Sequence, residues 1–318
     1  MAPNADPTAG ERVVESKKVW TTLITNTAYL SGLLTLEYSL RRAGSAYPLV
    51  ALYTDGFPAA GHAALAARGI PRQRVAYLLP ATPKDFSRDP RFYDCWSKLT
   101  PFSLTAYDRV VQLDSDMLVR RNMDELMELA LDAGADAADG KATRAFAASH
   151  ACVCNPLGKP HYPRDWVPAN CAFTMQHGEP ERAQAEGAPP TAGLAMPNGG
   201  LQVVNPSREV YDAIVERLGQ ATSTAGYEFA DQSLLADLFP GRWVALPYVY
   251  NALKTLRYDY VHAPIWRDEC VKNVHYILAP KPWDERPGET TEVPHEWWWD
   301  MTLERRKAEK DRGIDDGW

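Results

Sequence analysis

Apolar and polar positions change period repeatedly along the first hundred residues. Residues 19–24 form an apolar, β-branched run, and Thr25-Asn26-Thr27 is a helix-start signal ahead of a pattern of helical period over 28–43. The spacing therefore predicts a strand, a turn and a helix. Residues 48–53 predict a second strand closed by Asp55-Gly56, 59–68 a short helix, and 75–79 a third strand. A further helix is expected over 94–107 and a fourth strand over 109–113. Strands separated by helices pair in parallel through right-handed crossovers, and such sheets bind ligands beyond the carboxyl ends of their strands. Asn26 and Asp114 both fall just past a strand end, so both are expected at one crevice.

From about 136 to 197 the periodicity fails. This stretch is rich in Ala, Gly and Pro, carries three cysteines, and ends in a segment, 179–197, that reads as a mobile loop. Long irregular segments inside compact domains serve as lids or binding loops, or are disordered. Regular patterns resume with a strand at 199–204, a helix at 207–218, a short helix from Asp231 to 238 and a strand at 271–277. A charged helix over 296–312 ends the chain, with Trp297-Trp298-Trp299 at its root. That aromatic cluster either docks the helix on the core or forms a homodimer contact. The expected organisation is a disordered tail over 1–16, one α/β domain over 17–290 with a large insertion at about 136–197, and a helical extension over 291–318.

Composition narrows the function classes. The chain has 318 residues, 45% of them hydrophobic, enough for one large α/β domain with a sizeable core. Its net charge of −7 provides no broad basic surface for nucleic acid, so an anionic substrate must be held locally. No apolar run is long enough to span a bilayer, and the first eleven residues lack the apolar core of a signal peptide. Five cysteines, an odd number, argue against a fully paired secreted framework and for a reducing, cytoplasmic setting.

The candidate chemistry starts at Asp114-Ser115-Asp116. Two carboxylates two residues apart at a strand end can meet one hard cation, and magnesium or manganese share their coordination sphere with substrate phosphates. The ordinary alternative is a solvated turn. Apolar residues on both sides, 110–113 and 117–119, weigh against it, because carboxylates in such a setting are costly unless paired or metal-bound. His275 lies in a strand pattern, where a lone histidine is usually structural. Lys281 is a phosphate contact or a surface lysine, and Lys98 a site residue or the solvated face of a helix. Asn198-Gly199-Gly200 allows close backbone approach to a ligand or simply turns the chain. Asp231-Gln232 either serves the site or caps its helix.

Taken in order, these residues resemble a known family. The series runs Thr25-Asn26-x-x-Tyr29, Trp96-Ser97-Lys98-Leu99, Arg109 to Asp116, Asn198-Gly199-Gly200, Asp231-Gln232, Pro247-x-x-Tyr250-Asn251, and His275 followed by Lys281-Pro282-Trp283. Over roughly residues 18–284 it is similar to glycosyltransferase family 8, near glycogenin and galactinol synthase. The resemblance implies a GT-A fold, a Rossmann-like, mostly parallel central sheet flanked by helices. It also implies a UDP-sugar donor, UDP-glucose or UDP-galactose, held with manganese, or magnesium, and transfer with retention of anomeric configuration. By position, Leu23, Thr25, Asn26 and Tyr29 would contact the uridine, and Ser115 the ribose through its backbone. Asp114, Asp116 and His275 would bind the metal. Lys98 and Lys281 would meet the diphosphate or donor sugar. Asn198, Gly199, Gly200, Asp231 and Gln232 would line the donor-sugar and acceptor pocket, with Asp231, Gln232 and Lys98 as the catalytic set.

Two relatives imply different acceptors. Tyr258 lies 17 residues before His275, a spacing like that of the tyrosine that glycogenin glucosylates on itself, with Tyr260 nearby. Galactinol synthase transfers galactose to myo-inositol, and its insertion carries a Cys-x-Cys pair followed by further cysteines. Cys152-Val153-Cys154 and Cys171 occupy the corresponding stretch, but Ala172-Phe173-Thr174 stand where a second cysteine would follow. With His150 and His161 near, these cysteines are either a structural zinc site or, the reading preferred here, buried free thiols. A small polyol or sugar acceptor is favoured over a self-primer. A nucleotide-sugar-binding protein without turnover is the alternative from another class, and the intact Asp114, Asp116, Asp231 and His275 argue against it. A sugar-nucleotide pyrophosphorylase would need a Gly-rich basic loop after the first strand, and residues 23–30 have no glycine and no basic residue.

Overall fold

Seven strands form the central sheet of the computed structural model, which describes residues 11–82, 85–88, 90, 92–133, 143–220, 224–290 and 292–318. β1 (Lys18–Ile24) is flanked in parallel by β2 (Leu49–Tyr53) and β4 (Arg109–Leu113), and β2 pairs in parallel with β3 (Arg72–Arg74). The order continues through β7 (Leu201–Val204), antiparallel to β4, then β6 (Ala147–Ala148) and β8 (Val244–Ala245). A small second sheet places β10 (Asn273–His275) between β5 (Met117–Val119) and β9 (Ala252–Leu253).

The central strands are buried on both faces, which is why they read as continuous apolar runs rather than alternating ones. Val19, Val50 and Val110 enter one apolar cluster, while Trp20, Ala51 and Val111 enter the other, so the period of two sorts neighbours to opposite sides. α1 (Leu30–Arg42) follows β1 after a 3-10 turn at Thr27–Tyr29, and α2 (Ala59–Ala67) follows β2. A third apolar cluster lies against the small sheet and takes in Trp298 and Trp299 from the last helix.

Several expectations shift. The third strand lies at Arg72–Arg74, ahead of 75–79, because an edge strand needs only backbone pairing and can be charged. The helix expected over 94–107 is one short turn, α3 (Phe92–Cys95), continued by a 3-10 segment, Trp96–Ser103, with Pro101 inside it. Proline lacks the amide an α-helix needs there. The strand expected over 271–277 shortens to Asn273–His275. Part of the irregular stretch supplies β6, a two-residue strand with too few positions to carry a periodic signal. Residues 136–142 of that stretch and residues 1–10 of the expected tail lie outside the described residues. At Val13 the chain already touches the body, where its amide donates to the Tyr107 hydroxyl at 3.2 Å.

α4 (Arg208–Gly219) and α5 (Ala230–Leu238) pack near the 3-10 segment that carries Lys98. α6 (Val293–Lys310) is the expected C-terminal helix. It docks through buried Trp298 and Trp299, a Thr35–Thr302 hydroxyl pair at 2.9 Å, and a buried Arg305–Glu309–Arg68 ion cluster. Among the described residues, no helix is long and apolar enough to cross a membrane.

Candidate active site

β1 and β4 lie side by side and parallel, so the chain leaves both at the same edge of the sheet. At the end of β4, the Asp114 amide donates to the Gly200 carbonyl at 2.8 Å, which ties the acidic turn to the strand beside it. Ser115 is buried between the two strand ends. Its Oγ lies 2.9 Å from both Thr22 Oγ1 and the Leu23 carbonyl. The Ser115 carbonyl presses on α1, where a Cβ at Gly32 would come within 2.3 Å of it, so the glycine permits this approach. Asp116 then enters β5, and its carbonyl accepts from the Tyr276 amide at 2.9 Å.

The small sheet brings His275 to the acidic turn. Its Nε2 stands 3.5 Å from Asp114 Oδ2 and 3.3 Å from Asp116 Oδ1, and one ligand atom from each of the three residues lies within 4.8 Å of the others. The other ring nitrogen, Nδ1, donates to Asn251 Oδ1 at 2.9 Å, leaving the Nε2 lone pair directed at the two carboxylates. A lone pair facing two carboxylates is repulsive by itself. A cation between them reverses the sign, so this set of oxygen and imidazole donors fits a divalent metal.

Two lysines flank the group. Lys98 Nζ donates to Asp114 Oδ2 at 2.7 Å, and Lys281 Nζ to Asp116 Oδ2 at 2.5 Å and to the Tyr276 carbonyl at 2.6 Å. Burial opposes the charge on Lys98, yet the Asp114 carboxylate overrides it and holds the ammonium well above the usual lysine range. Burial would likewise raise Asp116, but the Lys281 ammonium holds it far below the ordinary carboxylate range. Asp231 is the opposite case. It is 2% exposed, its Oδ2 has no hydrogen-bond partner among the described residues, and burial pushes its carboxyl up to about 7. Lys98 pulls that value down and Asp114 pushes it up, both less than burial does.

These groups line one cleft of about 500 Å³ together with Leu23, Thr25, Asn26, Tyr29, Ser115, Asn198, Gly200 and Gln232. Residues 21–286, most of the chain, match the glycosyl transferase family 8 profile. The chain belongs to that family.

Its relatives agree with the assignment. The family 8 chain is 25% identical to galactinol synthase 7 of Arabidopsis thaliana over 92% of its own length and 83% of that protein. It is 22% identical to glycogenin of Neurospora crassa over 90% of its own length but only 35% of that protein. It superposes on the galactosyltransferase LgtC, solved with donor and acceptor sugar analogs, with a TM-score of 0.58 at 18% identity, over 92% of this chain and all of that one. The fold is thus GT-A, with the mostly parallel sheet and flanking helices expected of it.

Every residue expected at the nucleotide-sugar, metal and catalytic positions except Gly199 lines the wall of this family 8 cleft, whereas Tyr258 does not. Gly199 sits just behind it, where its amide donates to Gln232 Oε1 at 2.9 Å and a Cβ would lie 2.0 Å from Asp231 Oδ2. Asn26 also caps the turn that follows, accepting from the Ala28 amide at 2.9 Å. Sequence reasoning passed over Asp94, whose carboxylate accepts from Thr25 Oγ1 and Tyr77 Oη at 2.7 Å each. It gave Asn251 no role, although that residue orients His275. Tyr162, Trp166 and Phe229 were also missed: they form an aromatic wall in which Trp166 and Phe229 stack at 4.0 Å. Tyr162 and Trp166 come from one loop of the insertion and Phe229 from just ahead of α5, so only the fold brings the three together.

Proposed function

We propose that this chain moves a hexose, galactose or glucose, from a UDP-sugar to a hydroxyl acceptor with retention, and that the acceptor is a small polyol such as myo-inositol. The observation that carries this reading is the convergence of Asp114, Asp116 and His275 at the edge where β1 and β4 end, with Lys98 and Lys281 on either side. In it, the uridine lies along Leu23, Thr25, Asn26 and Tyr29, and Ser115 meets the ribose through its backbone. Asp114, Asp116 and His275 hold manganese, or magnesium. When bound, that ion neutralises charge developing on the leaving diphosphate.

The protein's own groups do the rest. Lys98 and Lys281, both largely buried, add positive charge beside the diphosphate, where burial strengthens its effect. Asn198, Gly200 and Gln232 line the donor-sugar end, with Gly199 behind them. The bond from the anomeric carbon to the phosphate oxygen breaks as the acceptor oxygen bonds the same face, and the hydroxyl proton passes to the leaving phosphate. Asp231 orients the acceptor. With a carboxyl at about 7 it is present in both protonated and ionised forms near neutrality, able to donate to or accept from a hydroxyl.

The glycogenin-like alternative places the acceptor on Tyr258. That tyrosine is half-buried, is not among the residues lining the cleft, and donates to Glu292 at 3.4 Å. One experiment decides between the readings. The protein is incubated with manganese and UDP-galactose or UDP-glucose, with and without myo-inositol, and both protein and small products are weighed. A galactosyl- or glucosyl-inositol product is expected. A protein mass gain lost in Tyr258→Phe would instead support self-glycosylation, and absence of any UDP release would remove both.

A further inference from the structure

Three cysteines of the insertion converge on one imidazole outside the acidic site. Cys152 Sγ, Cys154 Sγ and Cys171 Sγ stand 3.5, 3.2 and 3.3 Å from His262 Nε2. All four ligand atoms lie within 4.8 Å of one another, and none of the cysteines is in a disulfide. The histidine differs from those expected nearby: His150 faces the Ala188 and Pro189 carbonyls, and His161 packs edge-on against Tyr162. His262 comes from the far side of the chain, 91 residues beyond Cys171.

Plain packing of free thiols does not account for this. A single ring proton can satisfy one sulfur, yet three sulfurs crowd the same nitrogen. Tetrahedral zinc, with Zn–S near 2.3 Å and Zn–N near 2.0 Å, sets N···S separations of about 3.6 Å. The observed separations fall just inside that value. The second ring nitrogen is also arranged for the purpose. His262 Nδ1 lies 2.9 Å from His177 Nε2, so a proton on Nδ1 donated to His177 leaves the Nε2 lone pair facing the sulfurs.

We propose that Cys152, Cys154, Cys171 and His262 bind one structural zinc ion, distinct from the metal group at Asp114, Asp116 and His275. Three thiolates and an imidazole form a soft donor set, which selects zinc over the hard cations that carboxylates attract. Four protein ligands leave no open position, so the site is structural rather than catalytic. Its place in the fold gives it a purpose. Ala151, Cys152, Asn155 and Pro156 line the sugar cleft, whereas His262 belongs to the connection between β9 and β10, the strand that carries His275. The ion fastens the insertion's cleft wall to that connection. The thiols release their protons on binding, and the binding energy becomes folding energy for the insertion.

The test is metal analysis of wild-type protein purified without chelator from zinc-supplemented culture, followed by mercurial titration of the thiols with a zinc-sensitive dye. One zinc per chain is expected, released as the thiols react and retained in Asp116→Ala. Cys154→Ser and His262→Ala are expected to lose the ion and melt at lower temperature. Should those variants not fold, cobalt substitution of the wild type supplies the readout: thiolate-to-cobalt charge-transfer bands, which a carboxylate and imidazole site cannot give. Zinc-free wild-type protein, zinc lost in Asp116→Ala, or a cobalt spectrum without thiolate bands would each overturn the proposal.

Discussion

Asn251 fixes which nitrogen of His275 faces the acidic turn. Its Oδ1 accepts from His275 Nδ1 at 2.9 Å, and its own amide nitrogen donates to Asn198 Oδ1 at 2.9 Å. Asn198 in turn donates to Gln232 Oε1 at 3.1 Å, and its Oδ1 also accepts from the Gly200 amide at 3.0 Å. One hydrogen-bond chain therefore runs from the start of α5 to the proposed metal ligand, and it sets the tautomer that leaves Nε2 free. Losing such a second contact typically weakens metal affinity by about 10- to 100-fold. Asn251→Ala is expected to raise the manganese dissociation constant by that factor, read by electron paramagnetic resonance of free manganese.

Asp116 and Lys281 form a buried pair, so removing one partner strands the other charge. Such a loss costs about 3–5 kcal/mol. Asp116→Ala is expected to abolish metal-dependent UDP binding and also to lower stability. Combining it with Lys281→Met should restore much of the stability without restoring UDP binding. Calorimetric UDP titration and denaturant unfolding on both variants separate the two effects, and unchanged UDP binding in Asp116→Ala would sink the site assignment.

Asp231 makes stability depend on pH with a definite sign. Its carboxyl is raised from the ordinary carboxylate value to about 7, because burial disfavours the anion. Between those two values the folded protein holds a proton that the unfolded chain has lost. The associated stability is complete in acid and is lost as pH rises through about 7. In chelator-treated protein, Asp231→Asn is expected to gain stability relative to wild type from about pH 4 to about pH 8, by up to roughly 4 kcal/mol. A flat difference across that range would show that Asp231 is not raised.

Gly200 has no room for a side chain. A Cβ there would lie 2.3 Å from His275 Cε1. Gly200→Ala is expected to displace the imidazole and cut metal-dependent turnover by more than tenfold, with a fold still intact by circular dichroism. A fully active variant would mean that the His275 position is not critical.

Trp298 is fully buried among Trp283, Trp299 and the small sheet. Trp298→Ala leaves a large cavity and is expected to cost about 3–5 kcal/mol in denaturant unfolding. A loss below about 1 kcal/mol would show that the last helix is not anchored there.

The sequence determined the alternation of strands and helices in the first half. Runs buried on both faces, such as 19–24 and 109–113, must be apolar throughout, and that is visible without a structure. It also determined which residue types could do the chemistry, because carboxylates in an apolar frame are costly unless paired. It misplaced β3 by a few residues and was silent on β6, because both hold their places through backbone pairing with neighbours rather than through side-chain pattern. Which groups meet was likewise a tertiary matter. Asp116 immediately precedes β5 and His275 lies on β10, and only the β5–β10 register brings them together. The residue pattern alone left Lys98 either a site residue or a solvated helical lysine, and the folding of its segment against the end of β4 brings it to Asp114. His262 carried no signal at all as a partner for Cys171. Sequence spacing reports neighbours along one element, whereas side chains far apart in the chain are joined by the packing of whole elements, which forms only when the chain folds.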